Sequence, residues 1–303
     1  MTAIPTVSGL RSRLVEAGVL FPTAADGVYG RSAAYQSVVE GIGRLVHQWA
    51  AGLGATTLHL PPVLARSVFD ATDYMRSFPD LAGSVHVFSG GDRAHAELLR
   101  CLEGDGDWSS LLEPGEVVLA PAACHGLYPL CAGRLPEGGR FYEVTAWCFR
   151  HEPSRDPTRM QAFQMHEVVY LGDPADAEHH RDVGLTTAIA MLERLGLDVE
   201  AAPANDPFFG RLGAALAAGQ RDEGLKFEGL TTLEAGEPPL AVLSANCHRD
   251  HFGVPFGIET AAGSVAHSAC VGFGTDRIAI ALLNRHGLDP SEWPSDVRAE
   301  LSL

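Results

Sequence analysis

The sequence predicts an α+β fold in which an antiparallel sheet is flanked by helices. Consecutive strand patterns are joined by turns, at 139–147 and again through 147–172, instead of alternating with helices as a parallel nucleotide-binding sheet requires. Long helical segments cover 32–52 and about 176–196, enough to blanket a sheet. The 303 residues are 46% apolar and no Pro/Gly/Ser-rich linker or charge block divides them, so one large domain spanning 1–303 is expected.

In chain order, residues 8–19 make one short amphipathic helix at most. The segment 32–52 places Val38, Ile42, Leu45 and Trp49 at helical spacing and stops at Gly52. TTLHLPPVLA reads as a strand interrupted by Pro61 and Pro62. Short strands follow at VHVF, GEVVLAP and GRFYEVTAW, then a strand pair, the helix from about 176, strands at LKFEGLTTL and LAVLSAN, and a last helix from Asp276. The acidic stretches EGDGDW and AEHHRD read as solvated surface, and FFGRLGAALAAGQR as a small apolar helix.

No internal repeat, low-complexity segment, membrane-length apolar run or cleavable leader is evident, so a soluble cytoplasmic protein is expected, with no membrane partner. Without signs of secretion, the six cysteines read better as reduced thiols and metal ligands than as disulfides. With 22 basic and 38 acidic residues the net charge is −16, which opposes nonspecific attraction to nucleic acid.

The most informative stretch is WCFRHEPSRDPTRMQAFQMHEVVYLG, from Trp147 to Gly172. Two strands joined by a proline-containing polar loop would put Arg150 and Glu152 on one face, and Phe163 and Glu167 on one face. Guanidinium forks grip phosphates and an aromatic ring stacks on a base, so a nucleotide suits such a face. A solvated hairpin with incidental ion pairs fits the residues alone about equally well.

Phe-Arg-x-Glu, a variable loop, then Arg-x-x-x-Phe-x-x-x-Glu resembles motif 2 of class II aminoacyl-tRNA synthetases, the seryl type above all. Gly272-Phe-Gly-Thr-Asp-Arg277 followed by IAIALL resembles motif 3, and the helix, strand and prolines of 32–65 resemble motif 1. The segments AACHGLYP, CFRHEPS, RMQAFQMHE, LKFEGL, NCHRDHFG and AHSACVGFGTDRIAIAL, in order over about 30–285, are similar to the amino acid:[carrier protein] ligases. These are truncated homologues of zinc-dependent, archaeal-type seryl-tRNA synthetases.

That resemblance implies a class II catalytic core without a tRNA-binding domain. It implies zinc on Cys124, Glu167 and Cys270, whose fourth position would take the amino group of an amino acid, with glycine or alanine favoured. Cys101, Cys131, Cys148 and Cys247 have no such role by this match. ATP would bind bent, with Arg150 between the α-phosphate and the amino acid carboxylate, Glu152 at the adenine amino edge and Arg159 toward the γ-phosphate. Phe163 and Arg277 would sandwich the adenine. Asn246, His248 and His251 are expected near the amino acid. PLAVLSAN, read as the strand before motif 3, lacks the acid that seryl-type enzymes use for magnesium, so Glu228 or Glu234 would substitute, with Lys226 nearby.

Expected partners are ATP with magnesium, glycine or alanine, a phosphopantetheinylated carrier protein and a second copy of the chain through motif 1, but not tRNA. Arg11, Arg13, Arg211 and Arg221 are candidate carrier contacts. A minimal seryl-like tRNA synthetase, or a noncatalytic sensor of amino acid or nucleotide, are the competing readings. Retention of the whole Arg150, Glu152, Arg159, Phe163 and Arg277 set argues against the sensor.

Overall fold

The computed structural model describes residues 7–303, with the backbone alone for 7–8, 211–214 and 216. Helix α1 (Val7–Glu16) leads through the hairpin of β1 (Leu20–Pro22) and β2 (Tyr29–Arg31) into α2 (Ala33–Gly52). Then come β3 (Thr56–His59), β4 (Val63–Ala65), α3 (Arg66–Ala71), α4 (Tyr74–Ser77), β5 (Ser84–Val87), α5 (Asp92–Glu103) and β6 (Glu113–Leu119). Strands β7 (Gly133–Arg134), β8 (Arg140–Phe149) and β9 (Ala162–Gly172) precede α6 (Pro174–Arg194), β10 (Glu200–Pro203), α7 (Gly210–Asp222), β11 (Lys226–Thr231) and β12 (Leu240–Arg249). The chain closes through α8 (Gly253–Phe256), β13 (Ile258–Glu259), β14 (His267–Gly274), α9 (Thr275–His286) and α10 (Ser295–Leu301). Among the described residues no helix is long and apolar enough to cross a membrane.

Helix α2 starts where expected because the Ser32 side chain accepts from Tyr35 N, a cap contributing about 1 kcal/mol. Pro174 opens α6, where the missing amide hydrogen costs nothing. Seven strands form the central sheet in the order β10-β11-β12-β14-β9-β8-β3. All neighbours are antiparallel except β3, which runs parallel to β8 at the edge. Strands β4, β6 and β5 make a separate three-stranded sheet.

Three expectations are corrected here. TTLHLPPVLA is two strands in two different sheets, since Pro61 and Pro62 donate no ladder hydrogen bond and the chain turns between them. The strand entering the motif 3 helix is β14, not PLAVLSAN, which lies in the neighbouring β12. β14 is nearly all buried, so its sequence carries no alternation to reveal it. In AEHHRD the surface reading fails for His180, which is buried with Nε2 3.0 Å from Val168 O.

The sheet has two unlike faces. On one, Val168, Ala245, Leu243, Val271 and Phe273 pack with residues of α2, α6 and α9 in the main core. On the other, Tyr142, Val144, Ala146, Cys148, Val169 and Cys270 meet the turns around 123–131 and Phe252, a smaller core that supports the site.

Glu143 is buried on the helix-covered side, where Oε1 is 2.7 Å from His166 Nε2, Oε2 is 2.8 Å from His47 Nδ1, and Thr57 donates at 2.7 Å. Burial opposes its ionisation, but hydrogen bonds from His166, Thr57 and His47 outweigh that and hold the carboxyl at about 2. A pKa lowered from 4.5 to about 2 contributes stability that is full above 4.5 and is lost as pH falls toward 2. Wild type should therefore melt above Glu143→Gln near neutrality, with the gap closing in that acid window. A gap in Tm that stays constant from neutral pH to pH 2 would remove the assignment.

Candidate active site

Strand register brings the site together. Gly272 lies opposite Glu167, Cys270 opposite Asn246, and Asn246 opposite Lys226, so residues far apart in sequence share one sheet face. Cys124 comes from the turn 123–126, which crosses over that face. The ligand atoms of Cys124, Glu167 and Cys270 lie within 4.8 Å of one another, and all three residues are buried. Around a tetrahedral zinc such atoms sit roughly 3.3–3.8 Å apart, a contraction within reach of side-chain rotation.

The triad is buried and only partly satisfied by the protein itself. Glu167 Oε1 accepts from Ala123 N at 3.1 Å, while the buried Oε2 has no partner. Burial, then the facing Cys270, raises the Glu167 carboxyl to about 7. Cys270 is held well below the ordinary thiol value by the hydrogen bond with Cys124, against burial and with help from His248 and Asn246. Cys124 is pushed up by the same bond. Asn246 Nδ2 and His248 Nε2 stand 3.5 and 3.6 Å from Cys270 Sγ. The set of two thiols, one carboxylate and an orphaned buried oxygen fits zinc.

Of the other expected residues, Asn246 and His248 reach the triad, whereas His251 sits 3.3 Å from Thr72 O and edge-on to Phe252. Cys148 is a core residue, as expected. Cys247, with its burial and its neighbour Arg181, belongs to the helix side of the sheet.

A cationic slot is built from the same strand and turn, Phe163 preceding Glu167 on β9 and Pro121 preceding Cys124. Arg150 and Glu152 are not strand residues as expected: the ladder ends with Arg150 N donating to Gln161 O at 2.9 Å, and the loop carrying Pro153 and Pro157 follows. Arg150 Nε donates to Pro121 O at 3.1 Å, and its guanidinium carbon is 5.5 Å from the Phe163 ring. Arg159 pairs with Glu152 at 3.4 Å. Arg277 donates from Nε to Thr158 O at 2.9 Å and from Nη1 to Ala241 O at 3.1 Å. Burial, then Arg150 and Arg159, lowers its pKa, so three guanidiniums converge on one place in a chain of net charge −16. Phe163 thus borders Arg150, and Arg277 is fastened to the backbone carbonyls of Thr158 and Ala241.

The two candidate acids separate. Glu228 lies near enough to Arg277 to influence it and is 3.2 Å from Lys226 Nζ. Glu234 is spent on Arg13 at 3.0 Å, where Arg13 also meets Asn284, two turns along α9 from Arg277. Asp206, 2.6 Å from Lys226 Nζ and joined to Gln220 of α7, was not foreseen. It lies in an irregular segment, where no periodicity marks a residue. Among the proposed carrier contacts, Arg11 bonds Tyr29 at 3.2 Å, Arg221 bonds Asn205, and the side chain of Arg211 lies outside the described residues.

No family model matches the chain. It is 42% identical over 283 residues, 92% of its length and 86% of the relative's, to amino acid–[acyl-carrier-protein] ligase 1 of Bradyrhizobium diazoefficiens. It is 30% identical over 202 residues, covering 62% of this chain and 38% of the relative, to the type-2 serine–tRNA ligase of Methanopyrus kandleri. The seryl-tRNA synthetase of M. kandleri, solved with an A. aeolicus tRNA, superposes over 100% of this chain and 62% of its own with a TM-score of 0.82 at 22% identity. The expected class II synthetase core is the observed fold.

Proposed function

We propose that this chain, which belongs to the amino acid–[acyl-carrier-protein] ligases, activates glycine or alanine with ATP and passes the aminoacyl group to the phosphopantetheine thiol of an acyl carrier protein. The observation that carries this reading is that Phe163 and Glu167 stand four residues apart on β9 while Arg150, over the Phe163 ring, donates to Pro121 O three residues before Cys124, so the cationic slot and the Cys124, Glu167 and Cys270 triad are built from the same strand and the same turn. One half suits a nucleoside triphosphate, the other an amino acid, and the carboxylate would meet the α-phosphate where they join.

Arg150 orients the carboxylate and α-phosphate and stabilises the charge that grows as a carboxylate oxygen attacks phosphorus and the bond to pyrophosphate breaks. Phe163 and Arg277 hold the adenine, Glu152 its amino edge, and Arg159 the γ-phosphate. Glu228 is the acid best placed for the magnesium that accompanies ATP. Cys124, Glu167 and Cys270 would hold zinc, which when bound supplies a Lewis-acid position for a neutral α-amino group and so favours amino acids over acids lacking one. The carrier's sulfur then attacks the adenylate carbonyl, AMP leaves and the thiol proton is released; a pantetheine thiol needs little activation.

The test is amino-acid-dependent exchange between pyrophosphate and ATP, followed by transfer of labelled glycine or alanine. Exchange with glycine or alanine, and a hydroxylamine-labile label on holo carrier alone, are expected. No exchange would favour a sensor, and efficient labelling of tRNA would favour a synthetase; the net charge of −16 opposes an unaided polyanion contact, and an acidic carrier would need a local basic docking surface.

We also propose a homodimer around α2 and the strand segment at Pro61, because, among the described residues, β3 leaves one edge of the central sheet without a partner strand. Light scattering at micromolar concentration should give twice the mass of 32.2 kDa; a monomer removes this proposal.

A further inference from the structure

Asp276 has no assigned part in catalysis, yet it is 3% exposed and every oxygen is engaged. Oδ1 accepts from Tyr35 at 2.8 Å and pairs with Arg31 Nη2 at 2.7 Å. Oδ2 accepts from Gln164 N at 2.7 Å. Pairing of β14 with β9 ends at Gly274 opposite Met165, so the next amide on that edge, Gln164, has no strand to donate to. The Asp276 carboxylate substitutes for that strand, while Thr275 Oγ1 donates to Gln164 O at 3.1 Å. Two side chains from the first turn of α9 therefore extend the β9 ladder by one residue.

That residue follows Phe163, and the residue after Asp276 is Arg277. The two groups expected to hold adenine are thus each one peptide bond from this junction. Arg31 anchors the far side: its guanidinium carbon is 4.2 Å from the Trp147 ring, and it neutralises the carboxylate from β2. The same β1–β2 hairpin grips the end of the motif 2 loop, with Gln161 N donating to Gly27 O at 2.8 Å and Gln161 Nε2 to Asp26 O at 2.8 Å.

We propose that Asp276 is a positioning residue that sets the separation of Phe163 and Arg277 and so the width of the adenine slot. The proposal rests on the reading of that slot as the ATP site. A carboxylate is required because one oxygen faces two donors and the other faces a backbone N–H; an asparagine serves only one side, since its NH2 group has no acceptor on the other.

The experiment uses the full chain as wild type, Asp276→Ala and Asp276→Asn. It reads KM for ATP and for the amino acid in pyrophosphate exchange, with Tm and bound zinc in parallel. Because a misplacement of 1 Å costs up to about 100-fold, ATP KM should rise at least about tenfold in Asp276→Ala and by an intermediate factor in Asp276→Asn. Amino acid KM should change less than about twofold and zinc content not at all, since the triad lies beyond this junction. If Asp276→Ala does not fold, Asp276→Asn decides by the same selective rise. A loss of Tm with ATP KM unchanged, or both KM values rising together, overturns the proposal while leaving the ligase reading intact. Absence of exchange in wild type overturns both.

Discussion

Cys270→Ser is expected to leave the protein folded but strip its metal, from about one zinc per chain to below about 0.1, and to lower exchange by more than about 100-fold. The reason lies in the asymmetry of the triad. Cys270 is the thiol already pulled toward its thiolate, by Cys124 first and by His248 and Asn246 after it. A serine hydroxyl stays protonated and is a poor partner for zinc, and the Asn246 amide would then face a neutral oxygen. Glu167 and Cys124 alone offer two ligands, one of them a carboxyl raised to about 7. Cys148→Ser is the matched control, because Cys148 lies in the same core and is buried, but outside the triad. It should retain zinc and cost no more than about 1–3 kcal/mol of stability for a buried hydroxyl. Metal analysis of the two purified variants decides. Full zinc in Cys270→Ser would make the triad an ordinary buried polar cluster.

The hairpin and the motif 3 helix were legible in sequence because their signals are local. Arg150, Glu152, Arg159, Phe163 and Glu167 fall within one stretch, and Gly272 to Arg277 within another. The triad was legible only through resemblance, since a turn, β9 and β14 deliver its members and nothing in their spacing encodes the register that aligns them. β14 itself escaped because a strand covered on both faces loses its alternation. Strand geometry does not reach Glu152, because the ladder ends at Arg150 N and the next amide, His151 N, turns away to Leu81 O. Asp276 sat in plain view within motif 3, in the helix first turn where an acid is ordinarily credited to the helix dipole. Its tie to Gln164 becomes visible only when β14 is seen to stop one residue short. Asp206 carried no signal at all, because its partners Lys226 and Gln220 reach it from β11 and α7.

Arg150→Ala should produce the second large loss, a fall of about 10²–10³ in the rate of pyrophosphate exchange, the range for removing one donor aimed at a developing charge. Arg150 is committed to the protein through Nε alone, at Pro121 O, and among the described residues it forms no ion pair. Its remaining N–H groups are available for two acceptors at once, the geometry needed to bring a carboxylate against a phosphate. Lysine would not restore this. An ammonium is a point charge that cannot donate to Pro121 and also span two oxygens in one plane, so Arg150→Lys should recover less than about tenfold. Arg159→Ala should act differently, because Arg159 is half-exposed and already paired with Glu152, so the expected change is a few-fold rise in KM for ATP. Zinc content should be untouched in all three variants, since none of these residues contributes to the triad. Transfer to holo carrier from preformed aminoacyl-adenylate separates the chemistry further. Arg150→Ala should slow that step by less than about tenfold, because the sulfur attacks the acyl carbon, the bond that breaks joins that carbon to the phosphate oxygen, and no bond to phosphorus is made or broken. If Arg150→Ala keeps exchange within about tenfold of wild type while remaining folded, the guanidinium is not the group that joins carboxylate to phosphate, and the assignment of this slot must move to Arg277.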